Sequence, residues 1–165
     1  MALIVCDSTP LIYLARLRRF DLLPRLHNPI MIPPAVWQEV AVQGLGLPES
    51  HDVQQGAAMG WLRVQPPSSP LNVPAEDAEL LDEGESQAIQ LAIERGACLA
   101  MDEAYGRRIA QQLGVRLTGT VGLLVRARRE RMLPCLRAEL DRLRFETSFR
   151  LSDAVYRAAL HAADE

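Results

Sequence analysis

Apolar residues fall into short runs that alternate with amphipathic stretches along this chain, and the alternation repeats about five times. Leu3, Ile4, Val5 and Cys6 form a continuous apolar run, the pattern of a strand buried on both faces. Asp7 ends it. Ser8, Thr9 and Pro10 then open a helix, since proline suits a first turn whose N–H has no helical partner. Leu11, Ile12, Leu14, Ala15 and Leu17 carry that helix to Arg18 and Arg19. A short helix or turn over 20–27 leads to a second strand at 29–32. Pro33 and Pro34 open another helix, which runs through Val36, Trp37, Val40, Ala41 and Val42 and stops near Gly44. Beyond the loop 44–48, the pattern predicts a helix over 49–59 and a third strand over 61–64. Pro66, Pro67, Ser68, Ser69 and Pro70 form a rigid connector.

The most informative stretch spans 81–103. Ala88, Ile89, Leu91, Ala92 and Ile93 recur at helical spacing, and Arg95 with Gly96 closes the helix. The apolar run 97–101 is a fourth strand, ended by Asp102. A helix over 105–113, a strand over 115–118, a helix over 121–131 and two further helices, 135–144 and 152–163, complete the chain. Strand and helix in alternation, joined by right-handed crossovers, define a three-layer α/β/α fold with a central parallel sheet of about five strands. The 165 residues read as one domain, with no repeat or internal boundary.

Composition narrows the class. The chain is 48% hydrophobic and 24% charged, and no apolar run approaches the roughly 20 residues of a membrane span. The N-terminus lacks the basic region of a signal peptide and reads as a strand, which points to the cytoplasm. Cys6, Cys98 and Cys135 have no metal-type spacing and read as reduced cysteines, Cys6 and Cys98 as core packing. His27, His51 and His161 read as surface residues. All 18 basic residues are arginine, and twelve lie beyond Glu103, with a dense run at Arg126, Arg128, Arg129 and Arg131. Arginine binds phosphate through a planar fork, although such a run is also the ordinary composition of a solvated helix face.

The acids carry the chemistry. Asp7 and Asp102 each follow a strand, at the carboxyl edge where open α/β sheets bind ligands. Glu85 lies three residues before Ala88 and four before Ile89, on the stripe that should face the sheet. Glu39 stands alone among the apolar residues of its helix. Each has a plainer reading. Asp7 and Asp102 suit helix N-caps, Glu39 a solvent-facing margin, and Glu85 a first helical turn, where the dipole favours it by a few tenths to about one kcal/mol. Asp82 and Glu83 compete with Glu85 but fall off its apolar stripe. Four carboxylates at one edge would raise each other's pKa, and a hard divalent cation, Mg²⁺ or Mn²⁺, relieves that repulsion. The absence of histidine and cysteine from the set argues against zinc. Such a metal activates water and stabilises the leaving oxygen of a phosphodiester. A dehalogenase-type phosphatase would want an aspartate where Thr9 stands, a receiver domain would want a lysine, and no nucleophile elbow is present.

The segments VCDSTPLIYLARLRRFDLL, IPPAVWQEV, LDEGESQAIQLAIERGACLAMDE and VRLTGTVGLLVRAR together resemble the PIN-domain fold, from about Leu3 to Arg131. More narrowly they resemble an uncharacterised branch allied to VapC-type toxins, as does the tail Phe149, Arg150, Leu151, Ser152 and Asp153. The resemblance implies a metal-dependent endoribonuclease acting on single-stranded RNA, often as the toxin of a toxin–antitoxin pair held silent by an antitoxin protein. Asp7, Glu39 and Asp102 match the family's site acids. Glu85 stands where most PIN nucleases carry an aspartate, one methylene shorter. Ser8 and Thr118 would line the site, and Glu103 would be an auxiliary ligand. A homodimer is also expected, because the Leu- and Ala-rich helices beyond Val121 offer more apolar surface than one sheet edge covers and PIN-like proteins commonly pair. The alternative is a degenerate module that binds RNA or a protein partner without cutting.

Overall fold

In the computed structural model, described over residues 2–165, five parallel strands stand in the order β3-β2-β1-β4-β5. They are β1 (Ile4–Cys6), β2 (Ile30–Ile32), β3 (Leu62–Val64), β4 (Cys98–Ala100) and β5 (Leu117–Thr118). The chain lays β2 and β3 on one side of β1, then crosses back to lay β4 and β5 on the other. The carboxyl ends of β1 and β4 therefore flank a topological switch point, where open α/β sheets leave a crevice.

The period-two alternation of the strands divides the core between the two faces. Ile4 and Cys6 of β1, Ile30 and Ile32 of β2 and Ala100 of β4 pack into one apolar cluster. Val5, Met31 and Leu99 pack into the other. The first face is covered by α1 (Ser8–Arg16), α2 (Leu22–Leu26), α4 (Pro48–Ala58), α8 (Thr120–Arg129), α9 (Leu136–Glu146) and α10 (Asp153–Ala162). The second face is covered by α6 (Glu83–Arg95) and α7 (Ala104–Gln112), which supply Ala88, Ile89, Leu91, Ala92, Ile109 and Ala110. This is the three-layer α/β/α sandwich of the sequence reading. Gly96 ends α6 in the left-handed region, with φ 58°, which glycine adopts without steric cost.

Several elements depart from the sequence pattern. The single helix expected from Pro34 to Gly44 is α-helical only over α3 (Pro34–Trp37), and Gln38–Gln43 is wound as a π-helix. The connector before α6 holds a further turn, α5 (Ala75–Ala78), tied to α7 where Tyr105 Oη donates to Asp77 Oδ1 at 2.5 Å. His27 is buried rather than superficial. Its Nδ1 lies 3.1 Å from the Ala2 carbonyl, and its Nε2 lies 3.1 Å from Arg126 Nη1. A guanidinium only donates, so Nε2 accepts and Nδ1 carries the proton. Burial lowers its pKa, in keeping with that neutral form. Cys6, Cys98 and Cys135 are all free thiols. The leucines beyond Val121 do not spill outward: Leu123, Leu124, Leu136, Leu140, Leu143 and Leu160 are buried within the chain. No helix among the described residues is long and apolar enough to cross a membrane.

Candidate functional site

Asp7 follows β1 directly, and its backbone N–H donates to the Ala100 carbonyl of β4 at 2.9 Å. Asp102 lies two residues beyond that carbonyl. The two aspartates thus occupy one edge of the sheet, on either side of the switch point.

Asp7 holds the N-cap position of α1 with extended backbone, φ −78° and ψ 173°, yet its side chain makes no capping hydrogen bond. Its residue exposure is 5%. Burial pushes its carboxyl up to about 7; the charges of Glu85, Asp82 and Glu39 add to the rise, and the Ser8 backbone N–H opposes it. A buried carboxylate that feels the charges of three others and is not used as a cap is a costly arrangement for stability alone. Gly84, in the first turn of α6, lies beside it: a Cβ there would be in ordinary contact, 3.8 Å from Asp7 Oδ1, 3.5 Å from Val36 Cγ2 and 3.4 Å from Asp82 Oδ1.

Glu85 is buried, and part of its plainer reading holds. Asp82 Oδ1 accepts the Glu85 N–H at 2.7 Å while Glu85 Oε2 accepts the Asp82 N–H at 2.9 Å, a reciprocal capping box. Its other oxygen, Oε1, sits near α7, 3.6 Å from where a Cβ at Gly106 would stand. Burial raises its pKa against the Asp82 N–H, with Asp82, Glu103 and Glu39 reinforcing the rise. Asp82, set aside on the helical stripe, therefore belongs to the acid cluster. The stripe argument fails for it because an N-cap lies before the helix and does not follow helical periodicity.

Glu39 projects from the π-helical segment, is exposed, and accepts a hydrogen bond from Ser8 Oγ at 2.5 Å. Wider winding is rare and recurs near functional sites. Here it carries the only acid of that helix to the residue after Asp7.

Asp102 does not cap its own helix; Glu103 occupies the N-cap of α7, also without a side-chain bond. Asp102 instead grips the start of α8. Its Oδ1 accepts the Thr120 backbone N–H at 2.8 Å and its Oδ2 the Thr120 hydroxyl at 2.6 Å. Burial raises its pKa, and the Thr120 hydroxyl and N–H together with Arg107 oppose the rise. Gly119 makes the contact sterically possible, since a Cβ there would fall 2.6 Å from Asp102 Oδ1. Thr118, expected to line the site, ends β5; the hydroxyl bonded to the acid belongs to Thr120, which is wholly buried. A hydroxyl just past a strand in the segment LTGT was the available signal, and it fits either threonine.

The arginine run lies elsewhere. Thr120 starts α8 at the acid edge, and ten residues of helix carry the chain about 15 Å to the opposite edge of the sheet. There Arg126 pairs with Glu130 at 2.7 Å and contacts His27, while Arg128 pairs with Glu165 at 2.5 Å. A basic residue at the acid edge is Arg107, whose Nη1 donates to the carbonyls of Met101 at 2.7 Å and Thr118 at 2.8 Å. It thereby ties together the carboxyl ends of β4 and β5.

The donor chemistry of Asp7, Glu39, Asp82, Glu85 and Asp102 is all carboxylate oxygen, which suits a hard divalent cation. The cage is not closed as the side chains stand. Among the described residues no three such groups converge as a ready-made metal site. Asp102 is turned toward Thr120, Glu39 toward Ser8 and one oxygen of Glu85 toward Asp82.

A doubly wound parallel sheet with carboxylates at its switch point defines the class of fold to which the chain belongs. The chain belongs to the DUF3368 family of PIN domains, whose family model matches residues 3–165. PIN domains are generally nucleases and typically use divalent metal ions. The structure is similar to a PilT N-terminus domain protein, SSO1118, from the hyperthermophilic archaeon Sulfolobus solfataricus P2. The TM-score is 0.51 at 16% identity, over 91% of this chain and 99% of that one, a likeness of fold. No curated protein matches the sequence.

Proposed function

We propose that this protein is a Mg²⁺- or Mn²⁺-dependent endoribonuclease acting on single-stranded RNA, with Asp7, Glu39, Glu85 and Asp102 as the acids of its site. The observation that carries the reading is Asp7. It sits at the switch point and makes no capping bond; burial first, and then the charges of Glu85, Asp82 and Glu39, push its carboxyl toward the neutral form. A cation reverses that preference, so the cost of the arrangement in the empty protein becomes affinity when metal binds.

Asp7 and Glu85 would hold the metal from the floor of the crevice, Glu39 and Asp102 from its rims, with Glu103 as an auxiliary ligand. The metal, when bound, supplies activation of a water and stabilisation of the leaving oxygen. The chain's own groups do the positioning. Ser8 orients Glu39 through its hydroxyl. Thr120 holds Asp102 through two hydrogen bonds and, with Arg107, favours its ionised form. Glu85 reaches the crevice with one oxygen while the other keeps the first turn of α6 closed, a division the extra methylene of glutamate allows.

The competing reading, an RNA- or protein-binding module without catalysis, is favoured by one observation: the carboxylates are engaged with Ser8, Asp82 and Thr120 rather than with one another's centre. Incubating the protein with labelled single-stranded RNA and Mn²⁺ separates the two. Cleavage that chelation abolishes supports the nuclease; binding without cleavage at any metal concentration supports the module. The finer reading, a toxin restrained by an antitoxin, draws on the resemblance to VapC-type proteins. Growth arrest on expression of the wild type but not of Asp7→Asn tests it.

A further inference from the structure

A cavity opens beside Asp102, toward β5 and away from β1. It has a volume of about 490 Å³, within the usual range for small-ligand sites. One wall is Val121 of α8; the other is formed by Phe149 and Leu151, from the segment that leads into α10, and by Val155 in its first turn. Arg107 and Arg150 also line it, as does Asp102, which stands on the same sheet edge as Asp7.

The outer wall is built rather than loose. Phe149 packs edge-on to Tyr13, with centroids 5.0 Å apart and planes at 89°. The Leu151 carbonyl accepts from Arg144 Nη2 at 3.0 Å, and Ser152 caps α10 by accepting the Val155 N–H at 3.2 Å. Even so, Val155 remains 47% exposed beside the cavity. At the base of the groove a glycine sits where a side chain would collide: a Cβ at Gly122 would lie 2.5 Å from Thr118 Oγ1.

We propose that this groove receives one unstacked base of the RNA strand whose neighbouring phosphate lies at the acids, with Arg107 and Arg150 serving the backbone between them. The inference rests on the nuclease reading and names a subsite for it. Apolar walls accept the flat face of a base, guanidinium groups accept phosphate, and Asp102, at the sheet edge it shares with Asp7, stands between the groove and the other acids. The cavity on the opposite flank lacks this combination. It is of similar size, about 450 Å³, but is lined by prolines, glutamines, serines, Leu71 and Glu83, with no cation.

The test is fluorescence anisotropy on the full chain with chelator present, so that binding is read without cleavage. The probes are a single-stranded dodecameric oligouridylate and an abasic strand of the same length and charge. The wild type should bind the base-bearing strand about tenfold more tightly, the scale of one base stacked on apolar or aromatic groups. Val155→Trp, which fills the groove from an exposed position, should bring the two strands to near parity. Phe149→Ala should do the same. Arg150→Ala should weaken both strands alike. Equal binding of the two strands by the wild type, binding of neither, or a preference that survives Val155→Trp overturns the proposal. So does a Val155→Trp variant that changes the protein's mass in solution while RNA binding is untouched, which would make the groove an interface between copies. Cleavage measured separately with Mn²⁺ keeps the two claims apart. A base preference without cleavage removes the nuclease and leaves the groove; cleavage without base preference does the opposite.

Discussion

Asp82 and Glu85 hold each other's backbone N–H groups, at 2.7 and 2.9 Å, so the carboxylate proposed for the metal site also closes the first turn of α6. The two roles separate by substitution. Glu85→Gln keeps an acceptor for the Asp82 N–H and removes the charge. It should melt at or above the wild-type temperature and lose most RNA cleavage. Glu85→Ala loses the acceptor as well and should cost about 1 kcal/mol of stability, typical of a lost cap. Urea denaturation of both variants beside single-turnover cleavage checks this. If Glu85→Gln cleaves like the wild type, Glu85 is a cap and nothing more.

The pH dependence of the metal-free protein follows from Asp7. Its carboxyl has an ordinary value of 3.8 and is pushed up to about 7 in the fold, first by burial. The folded protein therefore binds more protons than the unfolded chain between those values, and stability falls as pH rises through that window. Burial raises Glu85 and Asp102 in the same direction. Melting in chelator should fall steadily from pH 4 to pH 8, and Asp7→Asn should flatten the fall and melt higher than wild type at pH 8 (both pH limits roughly the window set by linkage). A profile that rises with pH, or one that Asp7→Asn leaves unchanged, contradicts the assignment.

Gly119 has φ −153°, a conformation open to any residue, so its role is space rather than flexibility. A Cβ there would meet Asp102 Oδ1 at 2.6 Å and the Met101 carbonyl at 3.2 Å. Gly119→Ala should displace the Asp102 carboxylate from Thr120 and cut cleavage by about tenfold or more, on the scale by which small misplacements at a reacting centre act. Circular dichroism should remain that of the wild type. Unimpaired cleavage in a folded Gly119→Ala protein would show that the position of Asp102 does not matter to the reaction.

The layers and the placement of Asp7 and Asp102 were legible because continuous apolar runs ending in an acid encode both a buried strand and its carboxyl edge. Glu85 was legible as a residue on an apolar stripe, but its cap was hidden, since reciprocal bonding to Asp82 depends on backbone geometry at the helix entrance. The π-helical winding around Glu39 leaves no mark in hydrophobic periodicity over so short a segment. The place of the arginine run relative to the acids was hidden for a related reason. Charge can be counted along the chain, but which end of α8 faces the acids is decided by the position of Thr120. Arg107, an isolated arginine on an amphipathic helix, carries no sequence signal that sets it apart, and its two carbonyl partners come from the ends of separate strands.

The most direct test of the central claim, that Asp7 and the carboxylates around it form a site for a divalent cation, is the melting temperature of wild type and Asp7→Asn as Mn²⁺ is titrated. Wild type should start below Asp7→Asn in chelator and gain stability with metal, by about 2.7 kcal/mol at a hundredfold excess over the dissociation constant. Asp7→Asn should start higher and gain little. A wild type whose melting does not respond to Mn²⁺, or an Asp7→Asn that responds equally, would contradict the claim.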